Sequence, residues 1–238
     1  MRYLINMKYL LITGANGDIA TEICNFFKEK GWYIIGTDIQ NESLHSYTNK
    51  YIKCDLTNNQ EIKGIIENIK NIDCLIHCAA FQCCKPIWEY TIEEWDYTYS
   101  CNVKSLFLLV KYGFELLKKY KTNIINISSI HSLQTSKNIA AYASSKAALT
   151  GLTKNLAIDL STFDIRVNSI SPGAIDTKML KSHINEKQLE SLKEAHLLKE
   201  IGTPKNIAQA CHFICNNEFM NGANLIIDGG VNITLSSE

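Results

Sequence analysis

Tyr142 and Lys146 lie four positions apart in AAYASSK, a stretch rich in helix-forming residues. On a helix that spacing sets a phenol and an ammonium on one face. A free phenol titrates near ~10, too high for a base at neutral pH, and an adjacent cation favours its anion. Upstream, NIINISS reads as the end of a buried strand (Asn123 to Ile127) that delivers Ser129 into a polar loop. A phenol to move a proton, a cation to tune it and a hydroxyl to polarise a carbonyl make a proton-transfer site. Asn102, in the predicted helix around CNVKSLF, and His131, just past Ser129, add polar groups. Tyr and Lys meet at this spacing by chance in many helices, so the pair takes its meaning from the elements around it.

Those elements begin with an apolar run, Lys8 to Thr13, that ends in the glycine turn TGANGDIA, residues 13–20. A helix follows with Ile19, Ile23, Phe26 and Phe27 on one face and Gly31 at its close. Strand, glycine turn and helix start form a diphosphate cradle, because backbone amides there meet negative charge without steric obstruction. Asp38 ends the next predicted strand, Trp32 to Thr37, about 20 residues past the turn. A carboxylate at that place accepts from the adenosine ribose hydroxyls and repels a 2′-phosphate. No Arg or Lys stands beside it, so NAD is expected and NADP is disfavoured. Further strands are predicted at Tyr51 to Cys54, Cys74 to His77, Ile165 to Ile170 and within NGANLIIDGG. Between them lie helical patterns such as Ile62, Ile65, Ile66 and Ile69, which is core packing. The alternation predicts an α/β fold: a Rossmann-like, doubly wound parallel sheet of about seven strands in three α/β/α layers.

In this order the motifs resemble the short-chain dehydrogenase/reductase family, over about residues 8–231. The resemblance implies a catalytic set of Asn102, Ser129, Tyr142 and Lys146. In it Tyr142 exchanges the hydroxyl proton and Lys146 steadies the phenolate and holds the nicotinamide ribose. Ser129 holds the reacting oxygen, and Asn102 holds a water on the proton path. It implies cofactor contacts from Gly14, Asn16, Gly17, Asp18 and Ile19, from Asp38 and Ile39, and from Asp55 and Leu56 beside the adenine. Ala79 and the segment carrying Pro172, Gly173, Ile175 and Thr177 complete the cofactor set, with Tyr142 and Lys146.

Two departures stand out. Asp18 sits where the commonest members carry glycine, giving TGxxGxxA, so its carboxylate either points away from the diphosphate or repels it. His77-Cys78-Ala79-Ala80 replaces the usual Asn-Asn-Ala-Gly, and His77 reads as a satisfied structural histidine. For substrate, Gln82 and His131 fall where 3-hydroxybutyrate dehydrogenases of this family place carboxylate-binding groups, while Ile139, Lys181 and Val231 depart from that pattern, Lys181 still being able to pair with an acid. Residues 178–201, read as polar and helical, stand where the family keeps a mobile substrate lid. The stripe Leu149, Leu152 and Leu156 stands where the family forms a subunit interface, which implies a homotetramer or homodimer.

The expected reaction is hydride transfer between NAD(H) and a secondary alcohol or its ketone, the substrate being a small hydroxy acid, a sugar or polyol, or a cyclic alcohol. A catalytically silent dinucleotide sensor or scaffold is the alternative. A Ser129–His131 hydrolase is disfavoured, since the two residues sit in one loop and no GxSxG elbow is present.

The length of 238 residues suits one dinucleotide-binding domain over 1–238. Lys+Arg 24 balances Asp+Glu 24, which leaves no basic field for nucleic acid or an anionic membrane. No apolar run approaches the ~20 residues of a membrane span. MRYLINMKYLLITG reads as a strand entering a turn and not as a secretory signal, with Met7 an alternative start. The 9 cysteines, odd in number and without a CxxC pair, predict no metal site and no disulfide framework. They read mostly as small core residues in a reducing cytoplasm, with Cys83 and Cys84 in a loop near the active site.

Overall fold

Apolar runs of four to seven residues alternate with amphipathic segments along the chain, and each run pairs only in parallel. The computed structural model describes residues 7–182 and 184–233; Met1, one of the two candidate starts, and residue 183 of the expected lid lie outside them. In order the elements are β1 (Tyr9–Thr13), α1 (Asp18–Glu29), β2 (Tyr33–Asp38), β3 (Lys50–Lys53), α2 (Asn59–Glu67), β4 (Cys74–His77), α3 (Ile92–Tyr99) and α4 (Ser105–Tyr120). There follow β5 (Asn123–Ile127), α5 (Ala140–Asp159), β6 (Arg166–Pro172), α6 (Lys178–Lys181), α7 (Glu186–Ala195), α8 (Pro204–Asn216) and β7 (Asn224–Ile227). The strands form one seven-stranded sheet in the order β3-β2-β1-β4-β5-β6-β7, the doubly wound Rossmann-like arrangement.

Successive residues of a strand face opposite sides of the sheet, so each strand supplies two cores. Leu11, Leu75, Ile124 and Val167 pack toward Leu106, Leu109 and Leu149 on the side of α2, α4 and α5. Leu10, Ile12, Ile76, Ile125 and Ile170 pack toward Ile23, Phe27, Ile207 and Ile214 on the side of α1 and α8. Both layers are needed because a parallel sheet with an uncovered face would expose these rows. Among the described residues no helix is long and apolar enough to cross a membrane.

Three expectations change. The helix carrying Asn102 is not continuous: a π-helical turn, Ser100–Lys104, separates α3 from α4. The stretch 178–201 is two helices, α6 and α7, and not one. The leucine stripe of α5 faces inward, with Leu149 fully buried and Leu152 and Leu156 packed on the same core. The outward face of α5 carries Gly151, Lys154, Asn155 and Ile158 instead, with Leu152 and Leu156 only partly buried.

Candidate functional site

Because the strands are parallel, their C-terminal residues come to one edge: Thr13, Asp38, His77, Ile127 and Pro172 end β1, β2, β4, β5 and β6. The chain leaves β1 and β4 in opposite directions, which opens a crevice between them. Gly14 makes the closest approach there. Its φ is +65°, and a Cβ on it would stand 2.7 Å from Ala79 Cα, so only glycine lets the turn close. Thr13 Oγ1 accepts from the N–H groups of Cys78 and Ala79, each at 3.1 Å, which ties the two strand ends together. Gly17 precedes α1 in extended conformation, and among the described residues no side chain caps that helix. Its first amides are therefore free to meet an anion.

Asp18 does not spoil this cradle. Its carboxylate reaches across to accept from the Lys178 N–H and lies 4.0 Å from Lys178 Nζ, so it is committed to the first turn of α6. On the adenosine side, Asp38 accepts from the Asn16 N–H at 3.1 Å and the Gln40 N–H at 3.3 Å. Asn16 is the hub of that side: its amide donates to Glu42 O and Tyr51 Oη, and its carbonyl accepts from the Leu44 N–H. Ile39 beyond Asp38 is largely exposed. Asp55 spends one carboxylate oxygen on the N–H and Oγ1 of Thr57, both at 2.8 Å. Leu56 is buried in the core cluster on the α2, α4 and α5 side of the sheet.

At the other end, Pro172 closes β6, and a Cβ on Gly173 would stand 2.8 Å from Asp228 Cα. Ile175 is buried and bridges to Gly202, while Thr177 Oγ1 accepts from the Leu180 N–H and caps α6. The uncapped helix start, the glycine without room for a Cβ and the carboxylate ending β2 fit a dinucleotide.

The reactive groups converge beside this crevice. The Tyr142 phenol lies near enough to the buried Ser129 hydroxyl for that group to favour its anion. Lys146 is buried, donates from Nζ to Ile127 O at 2.7 Å and places that atom 5.5 Å from the Tyr142 ring centroid. The phenol is not lowered as expected. Burial pushes it up to about 12, against the effect of the Ser129 hydroxyl, although the ring keeps some exposed surface. Burial also brings Lys146 down to about 8. Desolvation outweighs the cation because the ammonium is aimed at a backbone carbonyl and not at the phenol oxygen.

Asn102 is held on the π turn with its side chain fully engaged: Oδ1 accepts from the Phe81 N–H, and Nδ2 donates to Phe81 O and Ser145 Oγ. It binds the loop after β4 to α5, and Ser145, its partner, carried no signal in the sequence. Thr13 was within the glycine motif but its two strand-tying bonds were not foreseen. His77 is wholly buried, with Nε2 2.7 Å from Ser105 Oγ and burial bringing it down to about 3. Its Nδ1 has no partner among the described residues, so it is only half satisfied.

Of the substrate candidates, the His131 ring meets the Tyr142 ring edge-on at 6.3 Å, and burial lowers its pKa. Only the His131 backbone N–H, and not its ring, bonds Ser129 Oγ, which leaves the hydrolase reading without a base. Gln82 Nε2 lies 3.3 Å from Cys84 Sγ, and Cys84 is close enough that its charge would act on Tyr142. Lys181 is not brought in: its ammonium pairs with Asp176 at 2.6 Å and is more than half exposed.

A family profile described as enoyl-(acyl carrier protein) reductase matches residues 14–232. The chain is 31% identical to cyclopentanol dehydrogenase of Comamonas, over 95% of this chain and 97% of that protein. It is 32% identical to dehydrogenase/reductase SDR family member 6 of Aquarana catesbeiana, over 93% of this chain and 95% of the relative. Among solved structures, 4-hydroxyisoleucine dehydrogenase complexed with NADH superposes with a TM-score of 0.89 at 29% identity, covering 96% of this chain and 100% of that one. Sheet order, glycine cradle, Ser129 and Tyr142 gathered beside Lys146, and these likenesses over nearly the whole length make this chain a member of the short-chain dehydrogenase/reductase family, an oxidoreductase of alcohols and ketones.

Proposed function

We propose that the protein transfers a hydride reversibly between NAD and a secondary alcohol or its ketone, with residues 1–238 acting as one dinucleotide-binding domain and 178–201 as its lid. The observation that carries this is the gathering of the Tyr142 phenol, the buried Ser129 hydroxyl and the buried Lys146, its Nζ 5.5 Å from the Tyr142 ring, beside the glycine cradle. Bound NAD supplies the redox chemistry by accepting or giving the hydride. Tyr142 Oη takes the hydroxyl proton in oxidation and returns it in reduction. Ser129 Oγ holds the reacting oxygen where charge develops, in a site that excludes much water. Lys146, charged at neutral pH even after burial, steadies the phenolate. Asn102 keeps α5 and the loop after β4 in register, which supports its place on a proton path. The Asp38 carboxylate and the absence of Arg or Lys beside it in sequence favour NAD over NADP.

For substrate, Gln82, His131 and Cys84 offer a polar rim around Tyr142, suited to a small alcohol bearing a second polar group. The chemistry of the relatives, a cyclic alcohol in one and a hydroxyamino acid in another, lies within that range. The test is absorbance of the reduced cofactor while small hydroxy acids, sugars and cyclic alcohols are screened with NAD. Tyr142→Phe should keep NAD binding and lower turnover by about 10³-fold or more. Wild-type-like turnover in that variant removes the proposed base, and NAD binding without turnover of any alcohol favours a sensor.

A further inference from the structure

Away from the catalytic edge, the α1–α8 face of the sheet gathers thiols: Cys24, Cys74 and Cys211 lie within its buried core, and Cys78 and Cys215 pack against it. Two of these are in contact. Cys74, the first residue of β4, is fully buried, while Cys215, near the end of α8, keeps some exposure. Their sulfurs are 3.3 Å apart, within hydrogen-bonding distance for thiols, across 141 residues of chain. Arg166 fixes the helix end that carries Cys215 by donating to Ile214 O, Cys215 O and Met220 O. Asn123, on the strand beside β4, reaches the same helix end through Ile214 O at 3.4 Å.

We propose that Cys74 and Cys215 form an oxidant-sensitive pair that closes to a disulfide when a hydroperoxide reacts at Cys215, stapling α8 to β4. The polarity of the pair suits this order of events. Cys215 keeps some exposure and lies beside the Arg166 guanidinium, whose charge favours its thiolate, whereas Cys74 is wholly buried, so a peroxide meets Cys215 first. In the first step the Cys215 thiolate attacks the peroxide; the O–O bond breaks, a sulfenic acid forms, and the departing oxide takes up the thiol's proton. In the second, Cys74 sulfur attacks the Cys215 sulfur; the S–S bond forms, the S–O bond breaks, and the Cys74 proton leaves in the water released. Two electrons pass from the two sulfurs to hydrogen peroxide, which ends as two waters.

Cys74 pairs in register with Leu10 and Asn123 at the N-terminal ends of their strands, opposite the end that carries Tyr142. The link should therefore leave turnover unchanged and act on stability. Closing so long a loop raises Tm by on the order of 5–10 °C for a chain of this size.

The experiment treats the native protein with hydrogen peroxide and maps its peptides without reduction. Expected are a cross-linked Cys74–Cys215 peptide, the loss of two free thiols per chain and a raised Tm, all reversed by a dithiol reductant. Cys215→Ser should show neither cross-link nor Tm shift, and Cys74→Ser should instead accumulate a dimedone-reactive sulfenic acid at Cys215. The proposal is overturned if the wild-type protein oxidises at Cys215 while Cys74 remains free, or if the link forms elsewhere, as between Cys83 and Cys84. Because the decisive arm is the wild-type chain, poor folding of either variant does not shelter the idea.

Discussion

Lys146 is the residue that most clearly trades stability for chemistry. An unfolded lysine keeps its proton to about 10.5, whereas burial brings the folded one down to about 8. Between those values the unfolded chain binds more protons, so this group's contribution rises with pH and is lost as pH falls through the folded value. At neutral pH the penalty is on the order of 3 kcal/mol. Lys146→Met should accordingly be inactive yet more stable than wild type to urea at pH 7, with the difference shrinking toward pH 10.5; an equally or less stable variant would contradict the desolvation account. Asp38 sets a second residue-scale expectation. Asp38→Asn keeps an acceptor for the Asn16 N–H but removes the charge, so the ratio of kcat/KM for NADP over NAD should rise about 10-fold or more in steady-state assays. No change in that ratio would detach Asp38 from cofactor choice. The identity of these residues was legible because spacing on one helix and position after a glycine turn are local properties. The direction of the Tyr142 shift was not, because it depends on how tightly β4, β5 and the loop after them close around the hydroxyl.

Among elements, the pairing of α1 with α6 through Asp18 changes how the glycine turn should be viewed. A carboxylate that stands at a dinucleotide cradle would repel phosphate, but here it accepts from the first turn of α6, so the glycine turn is joined to the first helix of the proposed lid. Asp18→Gly should free that end: amide exchange over residues 178–182 is expected to rise about 10-fold and the KM for the alcohol several-fold, with Asp18→Asn near wild type because its amide oxygen still accepts. Unaltered exchange in the glycine variant would mean the contact holds nothing in place. Strands were legible to within two residues, since short continuous apolar runs bounded by glycine and polar residues mark buried parallel strands locally. The π turn at Ser100–Lys104 was not, because its cause is tertiary: Asn102 is drawn to Phe81 and Ser145, residues with no nearby counterpart in the sequence. The broken lid was likewise hidden, as polar surface helices and loops share one composition.

At the scale of the whole molecule, large apolar side chains remain in the open on two sides. Trp88, Ile92 and Phe107 lie around α3 and α4, and Phe213 and Phe219 lie at the end of α8. We propose that these exposed apolar side chains meet further copies of the chain. Light scattering should return two or four times the 26.9 kDa chain mass, and Phe107→Asp or Phe219→Asp should lower it; a mass of one chain at micromolar concentration would remove the oligomer. The fold as a layered sheet was legible from alternation alone, but contacts such as Asp18 to Lys178, 160 residues apart, leave no local trace. Asn16 carries one more consequence. By lacing the glycine turn to Glu42, Leu44 and Tyr51, it builds the adenosine socket when the chain folds, so the ordering cost there is settled before any encounter with cofactor. On the proposed function, exchange of NAD for NADH is then expected to be timed at the nicotinamide end, where the proposed lid lies.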